Sequence, residues 1–230
     1  MSKTVLIAGA SRGIGLELCR QYAVAGWHVI AGCRAPNEAN SLKLLTQSYD
    51  LSIYPLDTGS HLSVRDFYNS VASEAIDVLI VVAGVLGGDH RSLEDFDFED
   101  FANALNINTA GPLRLAQVFS SNLAASGGAK LVALTSQLGS IEQTSSTDMM
   151  AYRISKAALN AAWKCVSVAL KDQNVTTMVI HPGWVATDMG GEDGPVSPQA
   201  SAKGIRAVID ELSPKDSGSF KTWEGDSLPW

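Results

Sequence analysis

Residues 5–15 form a short apolar run followed by a glycine-rich turn, and they read Val5-Leu6-Ile7-Ala8-Gly9-Ala10-Ser11-Arg12-Gly13-Ile14-Gly15. The apolar run predicts a buried strand, and the amphipathic residues 14–25 predict the helix that follows. Glycines between a strand and a helix permit a tight turn and a close approach of the backbone to a ligand. The first N–H groups of such a helix favour a bound phosphate. We therefore expect Gly9, Ser11, Arg12, Gly13, Ile14 and Gly15 to cradle a pyrophosphate; an ordinary glycine-rich turn is the alternative.

Strand-like and helix-like segments alternate along the rest of the chain. The predicted strands are residues 5–8, 28–31, 52–56, 78–82, 130–135, 176–181 and 218–223. The predicted helices are residues 14–25, 37–48, 63–74, 98–125, 151–171 and 200–212. Apolar strands linked by helical crossovers indicate a parallel sheet that is covered on both faces. The sequence therefore predicts an α/β protein, with residues 1–230 forming a single doubly wound Rossmann domain around a mostly parallel, about seven-stranded sheet.

The composition excludes several classes of protein. Hydrophobic residues make up 46% of the chain, and the net charge of -7 argues against nucleic acid or an anionic membrane as a partner. The first apolar run is too short for a transmembrane helix. The three cysteines form no C-x-x-C pair, so we interpret them as reduced residues in or near the core. The sequence thus predicts a cytoplasmic protein without a metal site.

The end of the second predicted strand indicates which dinucleotide binds. NAD-binding Rossmann units place an acidic residue there, whereas NADP-binding units carry basic groups for the 2′-phosphate. Here the strand runs into Cys33-Arg34 with no acid, and Arg12 lies in the glycine-rich turn. Two guanidinium groups suit a phosphate dianion. The cofactor is therefore predicted to be NADP(H), unless both arginines are ordinary solvated surface residues.

Three later motifs are candidates for the reacting groups. Tyr152 and Lys156 are four residues apart and share one face of a predicted helix. A nearby ammonium favours the phenolate form of a tyrosine. Ser136 follows a predicted strand, and residues 181–187 follow the next one, which places both at the ligand-binding edge of a doubly wound sheet.

The order of these motifs resembles the short-chain dehydrogenase/reductase family over the whole chain. The matching residues are the glycine-rich turn, Asp57, Asn108-Thr109-Ala110-Gly111, Ser136, Tyr152 with Lys156, and Pro182-Gly183 with Thr187. Residues 150–160 and 181–191 resemble a narrower branch, which contains the C-factor signalling protein and the sniffer-type carbonyl reductases.

The resemblance implies a role for each matching residue. Tyr152 acts as general acid in reduction, and Lys156 binds the nicotinamide ribose and lowers the pKa of the tyrosine. Ser136 holds the substrate oxygen, and Asn108 supports a proton relay through water and Lys156. Asp57 contacts the adenine. The remaining cofactor contacts implied are Ala83, Gly84, Pro182, Gly183, Val185 and Thr187.

One motif departs from the family. After the fourth strand the family has Asn-Asn-Ala-Gly, whereas this chain has Val81-Val82-Ala83-Gly84. The missing asparagine side chain braces the central sheet in the family. The departure therefore bears on local stability and cofactor affinity, and not on the reacting groups.

The leading hypothesis is an NADP(H)-dependent oxidoreductase, most simply a carbonyl reductase, that acts on a small apolar or aromatic carbonyl substrate. A C-factor-like signalling protein that binds the cofactor with little turnover is the alternative. Epimerisation or dehydration on the same scaffold is a third. The resemblance further implies a homodimer or homotetramer formed through residues 98–125 and 151–171. The physiological substrate is not predicted.

Overall fold

The computed structural model describes residues 2–88 and 92–230 and contains one seven-stranded sheet. Met1 and residues 89–91 of the predicted domain lie outside the described residues. The strands are β1 Thr4–Ala8, β2 His28–Cys33, β3 Leu51–Pro55, β4 Val78–Val81, β5 Lys130–Leu134, β6 Thr176–His181 and β7 Ser219–Thr222. Their order is β3-β2-β1-β4-β5-β6-β7, and every neighbouring pair is parallel. This confirms the predicted doubly wound α/β fold.

The helices are α1 Gly13–Val24, α2 Asn40–Thr46, α3 His61–Val71, α4 Phe98–Leu105, α5 Gly111–Ala125, α6 Met150–Ala169 and α7 Pro198–Glu211. Two predicted helices differ from the structure. Residues 37–48 were expected to be one helix, but Pro36–Glu38 forms a separate 3-10 turn. Residues 98–125 are helical throughout, yet the wider π-turn Asn106–Ala110 divides α4 from α5. Pro112 explains the division, because it has no N–H for the regular helical bond to Asn108.

Two hydrophobic clusters cover the two faces of the sheet. Val5 and Ile7 of β1 point into one cluster, and Leu6 and Ala8 point into the other. The first cluster is closed by α1, α2 and α7, and the second by α3, α5 and α6. Complete burial of β1 explains why its sequence is continuously apolar, since a parallel strand between two helix layers has no solvent-facing side.

The order in which strands are added to the sheet reverses at β1. From β1 it moves outward through β2 and β3, then returns to place β4 on the other side of β1. A crevice opens beyond the carboxyl ends of the strands at such a point. The turns after β1 and β4 meet there, since Val82 and Ala83 both donate backbone hydrogen bonds to the carbonyl of Ala8, at 2.8 and 3.0 Å.

Three further observations concern membrane-spanning helices, metal-binding groups and the cysteines. Within residues 2–88 and 92–230, no helix is long and apolar enough to cross a membrane. The same residues contain no group of three or more His, Cys, Asp or Glu side chains arranged to hold a metal ion. The prediction that all three cysteines lie in or near the core was wrong for Cys165, which is exposed on α6, whereas Cys19 and Cys33 are buried. Cys165 lies on the side of α6 that faces away from the sheet.

Candidate active site

The turn after β1 has room only for glycine at several positions. Gly9 has φ +97°, and a Cβ atom there would lie 2.6 Å from the backbone nitrogen of Ala83. A Cβ on Gly15 would lie 2.0 Å from the carbonyl oxygen of Gly9. Gly13 opens α1 with φ +53°, and the side chain of Arg12 does not cap the helix. The uncapped first turn of α1 therefore keeps N–H groups for an anion.

A cleft of about 450 Å³ runs across the carboxyl ends of the strands from this turn to α6. Most of the predicted site residues line it. They are Gly9, Ser11, Arg12, Gly13, Ile14, Arg34, Asp57, Ala83, Gly84, Tyr152, Lys156, Pro182 and Thr187. The structure therefore brings together, on one cleft, residues that are separated by more than 170 positions in the sequence.

Five predicted site residues do not form the wall of the cleft: Gly15, Asn108, Ser136, Gly183 and Val185. Gly15 lies behind the turn, against Gly9. Gly183 has φ +87°, and a Cβ there would lie 3.0 Å from Nε1 of Trp223. Val185 is buried and pairs with Val196. These three residues shape the loops around the cleft, because a side chain or a shift at any of them would displace the backbone.

The catalytic candidates Tyr152 and Lys156 lie on adjacent turns of α6. Nζ of Lys156 is 5.6 Å from the centre of the Tyr152 ring and donates a hydrogen bond to the carbonyl of Leu134 at 2.8 Å. Burial lowers the pKa of Lys156 to about 8. The buried Lys156 ammonium thus lies beside the tyrosine, held by a backbone oxygen at the end of β5.

The pKa of Tyr152 differs from the sequence expectation. Burial raises it to about 12, and the nearby Ser136 hydroxyl acts in the opposite direction. We expected Lys156 to lower this pKa. In the protein alone desolvation outweighs every other influence, because Lys156 directs its ammonium group at Leu134 and is itself desolvated. Tyr152 is consequently protonated at neutral pH.

Asn108 is fully buried in the π-turn and acts as a brace. Its Oδ1 accepts from the backbone N–H of Val85 at 2.8 Å, and its Nδ2 donates to the Val85 carbonyl at 2.8 Å and to Oγ of Ser155 at 2.9 Å. Both amide hydrogens are therefore used. The side chain ties the loop after β4 to α6, one residue before Lys156.

The Val81-Val82 departure is accommodated by packing. Val81 is buried in the same hydrophobic cluster as Leu6 and Ala8, and Val82 packs against the opposite cluster. The turn after β4 is held by its backbone hydrogen bonds to Ala8. Gly84 allows the backbone to pass close to the brace, since a Cβ there would lie only 3.1 Å from Oδ1 of Asn108 and 3.5 Å from Nζ of Lys156.

The other end of the cleft carries exposed charges. Arg34 follows β2 and has no hydrogen-bond or ion-pair partner among residues 2–88 and 92–230. Arg12 pairs with Asp188, with Nη1 and Oδ2 2.7 Å apart. This ion pair links the glycine-rich turn to the loop after β6 across the mouth of the cleft.

Sequence reasoning missed several residues of the cleft wall. They are Cys33, Leu56, Thr58, Val82, Val85, Ile107, Leu134, Thr135, Ala186, Asp188 and Pro198. Most directly follow or precede a predicted site residue at the end of a strand, which is the signal that could have identified them. Pro198 carries no such signal, since the loop after β6 brings it to the cleft. Met189, an apolar residue of the same loop and a candidate for the substrate pocket, also lines the cleft.

Comparisons with known proteins agree with this geometry. Residues 3–196 match the family described as short chain dehydrogenase. The chain is 38% identical to C-signal of Myxococcus xanthus over 167 residues, which are 73% of this chain and all of that protein. The structure of carbonyl reductase Sniffer of D. melanogaster is similar over the full length of both chains, with 30% identity and a TM-score of 0.90.

The structure of NADPH-bound carbonyl reductase from chicken fatty liver is also similar, with 31% identity and a TM-score of 0.89. It covers all of this chain and 99% of that one. Residues 3–196, which match the family model, span the glycine-rich turn, Asn108 and the Tyr152–Lys156 pair. The chain belongs to the short-chain dehydrogenase/reductase family.

Proposed function

We propose that this protein is an NADP(H)-dependent oxidoreductase, working mainly as a carbonyl reductase, in which the bound dinucleotide supplies the hydride. The observation that carries the proposal is the cleft itself. One end has a glycine-rich turn and Arg34, and the other has Tyr152 and Lys156. The glycine positions suit close approach of a phosphate, and no acidic residue follows β2 where a 2′-phosphate must fit.

In the proposed reaction Tyr152 donates its proton to the carbonyl oxygen of the substrate. Its raised pKa keeps the phenol protonated at neutral pH, as a general acid requires. Ser136, which interacts with the Tyr152 hydroxyl, holds the same oxygen. The ammonium of Lys156 lies close enough to stabilise the phenolate that remains after proton transfer.

The substrate that we propose is a small apolar or aromatic carbonyl compound. Three large apolar side chains in the loops after β5 and β6 are exposed: Ile141, Trp184 and Met189. Met189 lines the cleft, and Nε1 of Trp184 donates to the carbonyl of the adjacent Gly190 at 2.6 Å, which holds the indole beside it. Exposed apolar surface of this kind at the mouth of a cleft favours binding of an apolar group.

The proposal is tested by titrating the purified protein with NADPH and NADH and then screening aldehydes, ketones and quinones. We expect tighter binding of NADPH and turnover of at least one aromatic carbonyl. NADPH binding without turnover of any compound would favour the alternative, a C-factor-like signalling protein. The likeness to C-signal is the observation that supports that alternative.

We also propose that the chain assembles as a homodimer or homotetramer through α4, α5 and α6. Four large apolar side chains on these helices are exposed: Phe98, Leu113, Ile154 and Val168. Light scattering at micromolar concentration should give at least twice the monomer mass, and Ile154→Glu should lower it. A monomeric wild-type protein would contradict the proposal.

The extent and the location of the protein are part of the same proposal. Residues 1–230 would form a single domain, because one sheet carries both ends of the cleft. The cytoplasm is the proposed location, and cell fractionation would test it.

A further inference from the structure

Residues 226–230 fold back along β7 after a turn. The N–H of Thr222 donates to the carbonyl of Asp226 at 2.8 Å, and the N–H of Leu228 donates to the carbonyl of Phe220 at 2.9 Å. Lys221 and Ser227 pair in the antiparallel direction. These residues, which we call the return segment, therefore run antiparallel along the edge strand of the sheet, back toward the amino end of β7.

The side chain of Trp230 fixes the end of the return segment. Its ring lies 5.5 Å from the ring of Phe220, and Nζ of Lys164 on α6 lies 5.1 Å from its centre. The same Nζ donates to the carbonyl of Gly218 at 3.0 Å. Aromatic packing and a cation–π contact thus hold Trp230 between β7 and the helix that carries Tyr152.

The backbone carbonyl of Trp230 reaches the loop after β5. It accepts from the N–H of Glu142 at 3.0 Å and from Oγ of Ser140 at 3.4 Å. Ser140 is 1% exposed, and its Oγ also accepts from the N–H of Gln143 at 3.2 Å. The carbonyl of Trp230 therefore binds two groups of the loop after β5, and one of them is the backbone N–H of Glu142.

This loop is joined to Ser136 by one short 3-10 turn, Gln137–Gly139. The N–H of Ser140 donates to the Gln137 carbonyl at 3.0 Å, and the N–H of Gly139 donates to the Ser136 carbonyl at 2.9 Å. Leu138 donates its N–H to Oγ of Ser136 at 3.1 Å. A displacement at Ser140 is therefore transmitted through backbone bonds to the Ser136 hydroxyl.

The opposite side of the turn is fixed by α6. Nδ2 of Asn160 donates to the carbonyl of Gly139 at 3.2 Å, and Oδ1 of Asn160 accepts from Oγ1 of Thr135 at 2.7 Å. A Cβ on Gly139 would lie 2.9 Å from the backbone of Lys156. One side of the turn is therefore packed against α6, and the loop that leaves its other side is held by Trp230.

We propose that Trp230 is a positioning residue of the active site. Its ring anchors the return segment, and its carbonyl holds the loop at residues 140–142, which keeps Oγ of Ser136 directed at Tyr152. The proposal rests on the proposed function for its kinetic part. The clamp on the loop is a statement about the protein alone.

The test compares Trp230→Ala with Trp230→Phe, which keeps an aromatic ring, and with Ser140→Ala, which removes one of the two bonds to the carbonyl. Val71→Ala is the control, because Val71 lies on α3 and is buried in the hydrophobic cluster that contains Phe220. Amide hydrogen exchange of the protein without substrate measures the clamp. Steady-state kinetics and NADPH titration measure its consequence.

We expect Trp230→Ala to speed exchange at the Glu142 amide by at least about tenfold and to leave the amides of β5 unchanged. The KM of the carbonyl substrate should rise, and kcat/KM should fall by about tenfold or more, as small misplacements of catalytic groups do. NADPH affinity should stay the same. Trp230→Phe should keep most of the wild-type protection at the Glu142 amide and most of the wild-type kcat/KM. Ser140→Ala should speed exchange and lower kcat/KM by less than Trp230→Ala does.

Unchanged exchange at Glu142 in Trp230→Ala would overturn the clamp. Faster exchange with unchanged kinetics, or an equal kinetic loss in Val71→Ala, would overturn the positioning role. A wild-type protein that reduces no carbonyl compound would overturn the proposed function and the kinetic part together. In that case the exchange measurement still decides the clamp.

Discussion

The two ends of the cleft differ in burial, and the difference separates two kinds of chemistry. At the catalytic end Asn108, Ser136 and Lys156 are 0%, 6% and 4% exposed. At the other end the side chains of Arg12 and Asp188 are 69% and 72% exposed. Charges at the buried end interact through a weakly screening medium, whereas those at the exposed end interact through water.

Burial also decides how the groups are held. Lys156 makes a hydrogen bond of 2.8 Å to a backbone atom at the end of β5, and Asn108 makes one of 2.8 Å to the loop after β4, so their positions depend on the fold. Among the residues that the structure describes, the side chains of Arg12 and Asp188 pair with each other alone, and an exposed ion pair contributes little to stability. Substitutions should therefore have large effects on catalysis at the buried end and graded effects on affinity at the exposed end.

Tyr152→Phe should give the largest effect. The change keeps the ring and its packing but removes the proton that the carbonyl oxygen receives, so kcat for reduction should fall by roughly 10²–10⁴-fold. NADPH affinity should change little. Tyr68→Phe is the matched control on α3, outside the cleft. Full activity of a correctly folded Tyr152→Phe protein would refute the role of the tyrosine.

Lys156 should show the next largest effect, through pH. Since burial lowers its pKa to about 8, the ammonium is present below pH 8 and is lost as the pH rises through that value. We expect kcat/KM for reduction to fall above about pH 8, whereas Tyr152 keeps its proton until about pH 12. Lys156→Met should lower both rate and NADPH affinity and abolish this inflection.

The control for that variant is Lys171→Met, because Lys171 is exposed after the end of α6. It should retain the pH profile of the wild type. A profile of Lys156→Met that still falls near pH 8 would assign the inflection to another group.

Arg34→Ala tests the exposed end. Loss of one charged contact to a phosphate should weaken NADPH binding by about 1.5–3 kcal/mol and leave NADH binding nearly unchanged. The loss should shrink as salt is added, because the site is exposed. Arg65→Ala, another exposed arginine on α3, is the control. Equal affinities of the wild type for the two dinucleotides would contradict the predicted preference.

Asp188→Asn should give the smallest effect. Asp188 neutralises Arg12, so the uncharged amide should leave Arg12 free for a phosphate and tighten NADPH binding. An exposed pair contributes at most about 1 kcal/mol, which corresponds to a gain of up to about fivefold. Asp66→Asn, beside Arg65 at 3.9 Å, controls for loss of an exposed charge. Weaker NADPH binding in Asp188→Asn would mean that the ion pair supports the cleft.

Much of the fold could be predicted because local pattern and topology agree. Continuously apolar strands such as Val78–Val81 indicate burial on both faces, and helices between them leave a parallel sheet as the simplest arrangement. The π-turn at Asn106–Ala110 and the break after Pro36–Glu38 were not predicted, since periodicity does not resolve a change of hydrogen-bond pattern within a helical segment. Of the candidate site, Tyr152, Lys156 and the glycine-rich turn carry recognisable spacing.

The sequence by itself determined which groups are available: the glycines that permit the turn after β1, the absence of an acid after β2, and a tyrosine and a lysine on one helix face. Only the tertiary structure decided their state. Burial reverses the expected direction of the Tyr152 pKa shift, and Arg12 meets Asp188, 176 residues away. Trp230 reaches Glu142 in the same way. Desolvation and long-range contacts depend on how the elements pack, and no local spacing in a sequence encodes that packing.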